Sequence, residues 1–338
     1  MTAAHTTSWT RRVLLGLVGV AGVVAAAKAT SAFRSFVGDG SRGAMERSAV
    51  GPGELPPIPS APTPSALTLP DSLRGQSGAL RFRTLTPAAA LAIRGFVALY
   101  GEGALHRPAV HLVPLGGDSS FALIVLRPFG EKRGEVLRGY RLGRWPAERW
   151  MMARNYFNPD GFVEVTPENE RLPLSAHFTL GDFVTHDQRS VWPKYVVLEP
   201  KLIDKLELVL ADLHEHGVAS RRVVVLSGFR APYYNNRGVG EGMARGSRHQ
   251  FGDAADIFID DDNDGRMDDL NRDGRLDLRD TEPISQAITR VEKRYPELVG
   301  GLGTYQAMGP SGPFAHIDVR GTSARWESGW WKRRSGGS

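Results

Sequence analysis

The chain has 338 residues, 42 Lys and Arg against 37 Asp and Glu, a formal charge of +5, and no cysteine. Its length suffices for about two domains, each burying its own core, with residues to spare for a targeting segment. The missing cysteines exclude disulfides, thiolate metal sites and a cysteine nucleophile, so any metal must be held by oxygen and nitrogen.

Residues 1–34 run from Arg11-Arg12 through an apolar stretch over 13–27 to the small residues Ala27-Lys28-Ala29-Thr30-Ser31-Ala32. Basic, apolar, small is the order of an export signal, and the apolar run is short for a bilayer-spanning helix. The segment is expected to deliver the chain to the periplasm or cell envelope, cleaved or kept as an anchor near the membrane. Thr10-Arg11-Arg12-Val13-Leu14-Leu15 resembles a twin-arginine signal, with Gly16 where lysine is frequent. Residues 35–78, with Pro52, Pro56, Pro57, Pro59, Pro62 and Pro64 among glycine and serine, read as a semi-extended tether with no core.

Residues 79–165 read as a small, mainly β module. Strands are expected over 79–84, 109–114, 121–128 and 136–142, with one helix over 85–100 and turn residues at Gly116-Gly117-Asp118 and Gly130-Glu131-Lys132. It carries no catalytic constellation. Residues 166–338 read as α+β: a helix-backed, mainly antiparallel sheet. Leu202, Ile203, Leu206, Val209, Leu210 and Leu213 fall at helical spacing between Pro200 and Gly217. Val223-Val224-Val225-Leu226 is a buried strand, 283–294 a second helix, and 313–320 a half-buried strand with His316 and Asp318 on one face.

The chemistry concentrates in Ser247-Arg248-His249-Gln250-Phe251-Gly252-Asp253-Ala254-Ala255-Asp256. A tight loop of small residues brings His249 back toward the strand that bears Asp256. Imidazole and carboxylate suit a catalytic zinc that keeps a position open, three protein ligands being usual, and His316 is the downstream third. SxHxxGxAxD followed by HxD resembles the zinc D-Ala-D-Ala metallopeptidases, a fold group that includes murein endopeptidases and the hedgehog zinc domain. Ser227-Gly228-Phe229-Arg230-Ala231-Pro232 is similar to that family's SGYRS/P segment, and Phe178-Thr179-Leu180-Gly181-Asp182-Phe183 to its FxxxEF-type opening. Tyr140-Arg141-Leu142-Gly143-Arg144-Trp145-Pro146 also resembles a segment of these exported peptidases.

The resemblance covers about residues 166–326. It implies hydrolysis of peptide bonds in peptidoglycan, zinc on His249, Asp256 and His316, substrate contacts from Arg230 and Ser247, and Arg230 as clamp for a substrate carboxylate. Pro313 stands where many relatives carry an acidic base, which leaves Asp318 either as the base or as a group orienting a ligand from behind. An inactive, zinc-containing peptidoglycan-binding module is the alternative.

Residues 260–280 hold nine aspartates and four arginines, a charge of −5, so the remainder stands near +10. Such a body suits an anionic envelope polymer or membrane surface rather than nucleic acid. Two DxDxDG-like units repeat at an offset of nine, with oxygen ligands at alternate positions and glycine sixth, as a calcium loop requires. The second unit, Asp269, Asn271, Asp273, the Arg275 carbonyl and Asp280, is the expected calcium site, since the twelfth position holds Asp280 there and Asn271 in the first. Trp326, Trp330, Trp331 and Lys332 to Arg334 form a basic aromatic tail.

Overall fold

The structure, a computed structural model, describes residues 69, 71–116, 119–149, 156–306 and 309–328. The export segment, most of the tether and the end of the tail therefore lie outside the described residues. None of the described helices is long and apolar enough to cross a membrane.

Strand β1 (Phe82–Leu85) leads into three short helices, α1 (Pro87–Ala92), α2 (Phe96–Tyr100) and α3 (Gly103–His106). The single helix expected over 85–100 is thus broken: Thr86 caps α1 by accepting from the Ala89 N–H, and the chain turns at Gly95 before α2 begins. The hairpin β2 (Val110–Gly116) and β3 (Ser119–Val125) completes a three-stranded sheet, β1-β3-β2. The expected strand over 121–128 divides into β3 and β4 (Arg127–Pro128), and that over 136–142 into a hairpin, β5 (Val136–Leu137) and β6 (Tyr140–Arg141).

Helix α4 (Pro146–Arg149) and strands β7 (Gly161–Val165) and β8 (Lys194–Val196) follow. Then come α5 (Pro200–Glu215), β9 (Val223–Ser227), α6 (Pro232–Arg237), β10 (Ala254–Ile259), α7 (Glu282–Arg294), β11 (Gly301–Tyr305), β12 (Phe314–Asp318) and β13 (Ala324–Ser328). The last five strands form one sheet in the order β13-β11-β12-β10-β9, antiparallel throughout except for the parallel pair β11 and β13. Leu202, Ile203, Leu206, Val209, Leu210 and Leu213 of α5 and Ile284, Ala287, Ile288 and Val291 of α7 share a core with Ala255, Ile257 and Ile317 of the sheet. The fold is α+β, with helices backing a mainly antiparallel sheet.

The boundary expected at 165/166 does not interrupt packing. The described residues all belong to one compact unit, Ser60–Ser338. Strand β7 pairs with β8 across that boundary. Along β3 the side chains sort by alternation: Phe121, Leu123 and Val125 enter a small cluster with Phe96 and Leu105, while Ala122 and Ile124 join the main core. The small sheet is consequently covered on one side by its own helices and on the other by the region that holds the site. Period-two reading identifies two apolar faces but not what covers each.

Candidate metal centre

The His249 loop is a single 3-10 turn, Arg248–Phe251, ended by Gly252 in the left-handed region at φ +68. A Cβ at Gly252 would stand 2.1 Å from the Val197 carbonyl oxygen, so only glycine lets the loop close against that segment. The Gly252 carbonyl accepts from Glu199 N at 3.0 Å, and the His249 carbonyl accepts from Arg230 N at 3.1 Å. The Trp145 indole N–H donates to the Gln250 carbonyl at 2.8 Å, and Trp145, fully buried, stacks on Phe229. Through that contact the 140–146 segment supports the loop from beneath. Phe183, at the end of the 178–183 segment, lies against Gly228 and its carbonyl accepts from Phe229 N.

Asp256 and His316 are directly opposite in the β10–β12 register, and Ser227 of β9 is the neighbour of Asp256 on its other side. The three donor atoms converge. His249 Nε2 lies 3.2 Å from Asp256 Oδ1 and 3.1 Å from His316 Nδ1, and His316 Nδ1 lies 2.9 Å from Asp256 Oδ1. All three side chains are buried. A tetrahedral zinc with bonds of about 2.0–2.1 Å separates its ligands by about 3.3 Å, so the donor set matches in spacing as well as in type.

The far side of each ring fixes its tautomer. A carbonyl only accepts, so His249 Nδ1, 2.7 Å from the Gly228 oxygen, carries the proton and leaves the Nε2 lone pair for a metal. His316 Nε2 donates to Asp318 Oδ2 at 3.2 Å, which frees Nδ1 in the same way. Burial pushes the His249 pKa down and keeps that ring neutral. Burial opposes charge at Asp256 also, but His249, His316 and Arg230 outweigh it and hold the carboxyl well below its usual range.

Two expected roles look different in the structure. Asp318 stands behind His316, fully buried, and accepts from Gly301 N at 2.7 Å, Arg320 N at 3.1 Å and the Arg320 guanidinium. These partners overcome desolvation and depress its pKa far below that of an ordinary aspartate. A carboxylate so occupied orients His316 from behind, the second of the two roles expected of it. Arg230 donates through Nε to Ser227 Oγ at 2.7 Å and through its terminal nitrogen to Asp256 Oδ2. It braces the Asp256 carboxylate, whereas the resemblance gave it a substrate carboxylate. Ser247 borders the loop, and its backbone N–H donates to the Ala244 carbonyl.

The acidic insertion folds as two copies of one loop. Asp264 N donates to Asp260 Oδ1 and Asp262 Oδ1, Gly265 N to Asp260 and Arg266 N to Asp264. Nine residues later Asp273 N donates to Asp269 Oδ1 and Asn271 Oδ1, Gly274 N to Asp269 and Arg275 N to Asp273. Asn263 and Arg272, fourth in each unit, share positive φ values of 63° and 61°.

The two units differ in how their carboxylates are engaged, and in the first Arg222 pairs with Asp260. Among the described residues, the aspartate oxygens that converge belong to Asp260, Asp262 and Asp268 of the first. In the second, Arg279 sits on Asp273 at 2.7 Å and Asp277 at 2.8 Å. Asp280, fully buried, caps the turn before α7 by accepting from Asp277 N. Position counting found the repeat; it had no means to place Arg279 over the second unit.

No family model matches the chain, and no curated protein matches it. The crystal structure of the Serratia marcescens L-Ala D-Glu endopeptidase ChiX is a solved structure to which it is similar, at 17% identity and a TM-score of 0.24, over 36% of this chain and 82% of that one.

Proposed function

We propose that this chain is an exported zinc-dependent peptidase that hydrolyses peptide bonds in the stems or cross-links of peptidoglycan. One observation carries the assignment: His249, Asp256 and His316 present two imidazole nitrogens and one carboxylate oxygen 2.9–3.2 Å apart, each backed by a separate hydrogen-bonding partner. Three such ligands fit zinc with a position left for water or substrate. When bound, the metal supplies Lewis-acid polarisation of a peptide carbonyl and a lowered pKa for water.

The protein's part is to hold the ligands. Gly228 and Asp318 set the two imidazole tautomers, and Arg230 leaves Asp256 Oδ1 facing the histidines while it engages Oδ2. The positive charge outside the insertion, near +10, favours an anionic wall polymer as substrate. Calcium belongs, in this reading, to the first acidic unit, on Asp260, Asp262 and Asp268.

A second reading, a zinc-containing module that binds peptidoglycan without cutting it, is favoured by the position of Asp318, which serves His316 and leaves the site without the carboxylate base read from the sequence. Incubating the zinc-loaded protein with muropeptides, with and without chelator, separates the two. Chelator-sensitive release of new amino groups is the expected result. Binding without release supports the second reading, and neither binding nor release overturns both.

A further inference from the structure

Gly303 lies opposite His316 in the β11–β12 register and opposite Trp326 in the β11–β13 register, so these positions share the face that carries Asp256. A Cβ at Gly303 would stand 2.3 Å from the Trp326 indole; its absence lets the indole lie across β11 and reach His316, with ring centroids 5.2 Å apart. Two residues along the same face, Tyr305 stacks on Phe314, centroids 4.8 Å apart and planes within 4°. The Trp326 Nε1–H donates to the Tyr305 hydroxyl oxygen at 2.7 Å.

That contact has a direction. An indole N–H only donates, so the Tyr305 oxygen accepts and its own proton is directed elsewhere. Among the described residues nothing takes that proton. Burial raises the Tyr305 pKa, and the nearby Asp256 charge adds to the rise, so the hydroxyl is protonated at neutral pH. Both rings are only half-buried, which leaves them within reach of a bound ligand. A protonated hydroxyl, fixed at its oxygen and uncommitted at its hydrogen, beside a metal triad, is a donor prepared for an incoming acceptor.

We propose that Tyr305 donates a hydrogen bond to the reacting carbonyl oxygen of the peptide substrate, and that Trp326 is the positioning residue that aims it. The assignment deepens the peptidase reading and rests on it. Tyr305→Phe keeps the ring and its stack on Phe314 and removes one O–H. Its kcat on muropeptides should fall about 10²-fold, the usual loss for one donor to developing negative charge, with KM, zinc content and Tm unchanged. Its Kd for a phosphinate dipeptide, a tetrahedral anionic mimic, should rise about tenfold.

Trp326→Phe keeps a ring over Gly303 but no N–H, and should reproduce part of both effects at equal zinc content. Unchanged kcat and unchanged phosphinate affinity in Tyr305→Phe overturn the role of Tyr305. If the zinc-loaded parent cleaves no muropeptide, the peptidase reading falls and the role of Tyr305 falls with it; cleavage by the parent with an unchanged Tyr305→Phe variant overturns Tyr305 alone.

Discussion

The His249, Asp256 and His316 triad and the Asp260, Asp262 and Asp268 cluster both draw their donor atoms within 4.8 Å of one another, yet they are held by opposite means. At the triad every donor is buried on a paired strand or a loop tied to one, and a separate group stands behind each. In the insertion the carboxylates accept mainly from backbone N–H groups of their own loop; of the three, Asp260 is buried and backed by Arg222, and Asp262 is exposed. A sheet fixes ligand geometry before an ion arrives. A loop of mutually repelling carboxylates acquires much of its geometry from the ion. The two sites should therefore differ in affinity and fail independently.

The largest break in this contrast comes from the ligands themselves. His249→Ala and His316→Ala should each lose stoichiometric zinc on dialysis, read by elemental analysis, while Asp260→Ala keeps it. Zinc retained in full by both histidine variants would remove the triad as a metal centre.

Next in size are the groups behind the ligands. Asp318→Asn and Arg230→Ala should each weaken zinc binding about 10–100-fold in competition with a chelator. Asp318→Asn also unpairs Arg320 from a buried carboxylate, and unfolding in urea should register a loss of about 3–5 kcal/mol. Unchanged zinc affinity in Arg230→Ala would return that residue to the substrate side of the cleft.

For the insertion, calcium at about 10 mM against a Kd of about 10⁻⁴–10⁻³ M should stabilise the protein by about 1.4–2.7 kcal/mol. It should also slow proteolysis within 260–280. Asp260→Ala should remove both effects with zinc intact. Asp273→Ala, whose carboxylate Arg279 already covers, should remove less; a larger effect at Asp273 would restore the second unit as the main site.

The smallest effect is a pH dependence of opposite sign at the two regions. Asp318 has a depressed folded pKa, so its contribution to stability is complete above the ordinary aspartate value of about 4 and is lost as pH falls below it. Burial raises the pKa values of Asp268 and Asp280, so their contribution is lost as pH rises through the raised values. The Tm gain from calcium should accordingly grow as pH is raised from about 4 toward neutrality. A gain independent of pH would detach it from these carboxylates.

Helix α5 was legible because proline, glycine and apolar spacing agree over three or more turns. The strand bearing His316 was legible through its period-two pattern. What stayed hidden depends on which element lies beside which. Trp145 reaches Gln250 from 105 residues away. Tyr305 and Trp326 meet only because β13 pairs in parallel with β11, and Gly301 and Gly303 give that strand little apolar alternation to read. The arginine in the 227–232 segment was visible, but its partner followed from the β9–β10 register, which spacing does not supply.

His249 and His316 are 67 residues apart, and β12, which carries the second, lies in the middle of its sheet although it is the penultimate strand in the chain. Assembly of the donor set thus depends on β12: a chain with β9 and β10 paired but β12 absent offers two donors and no closed set. Loop closure of that span is slow and entropically opposed compared with local pairing. The three-donor set is complete only once the sheet is complete, so a chain cut before β12 offers no third donor.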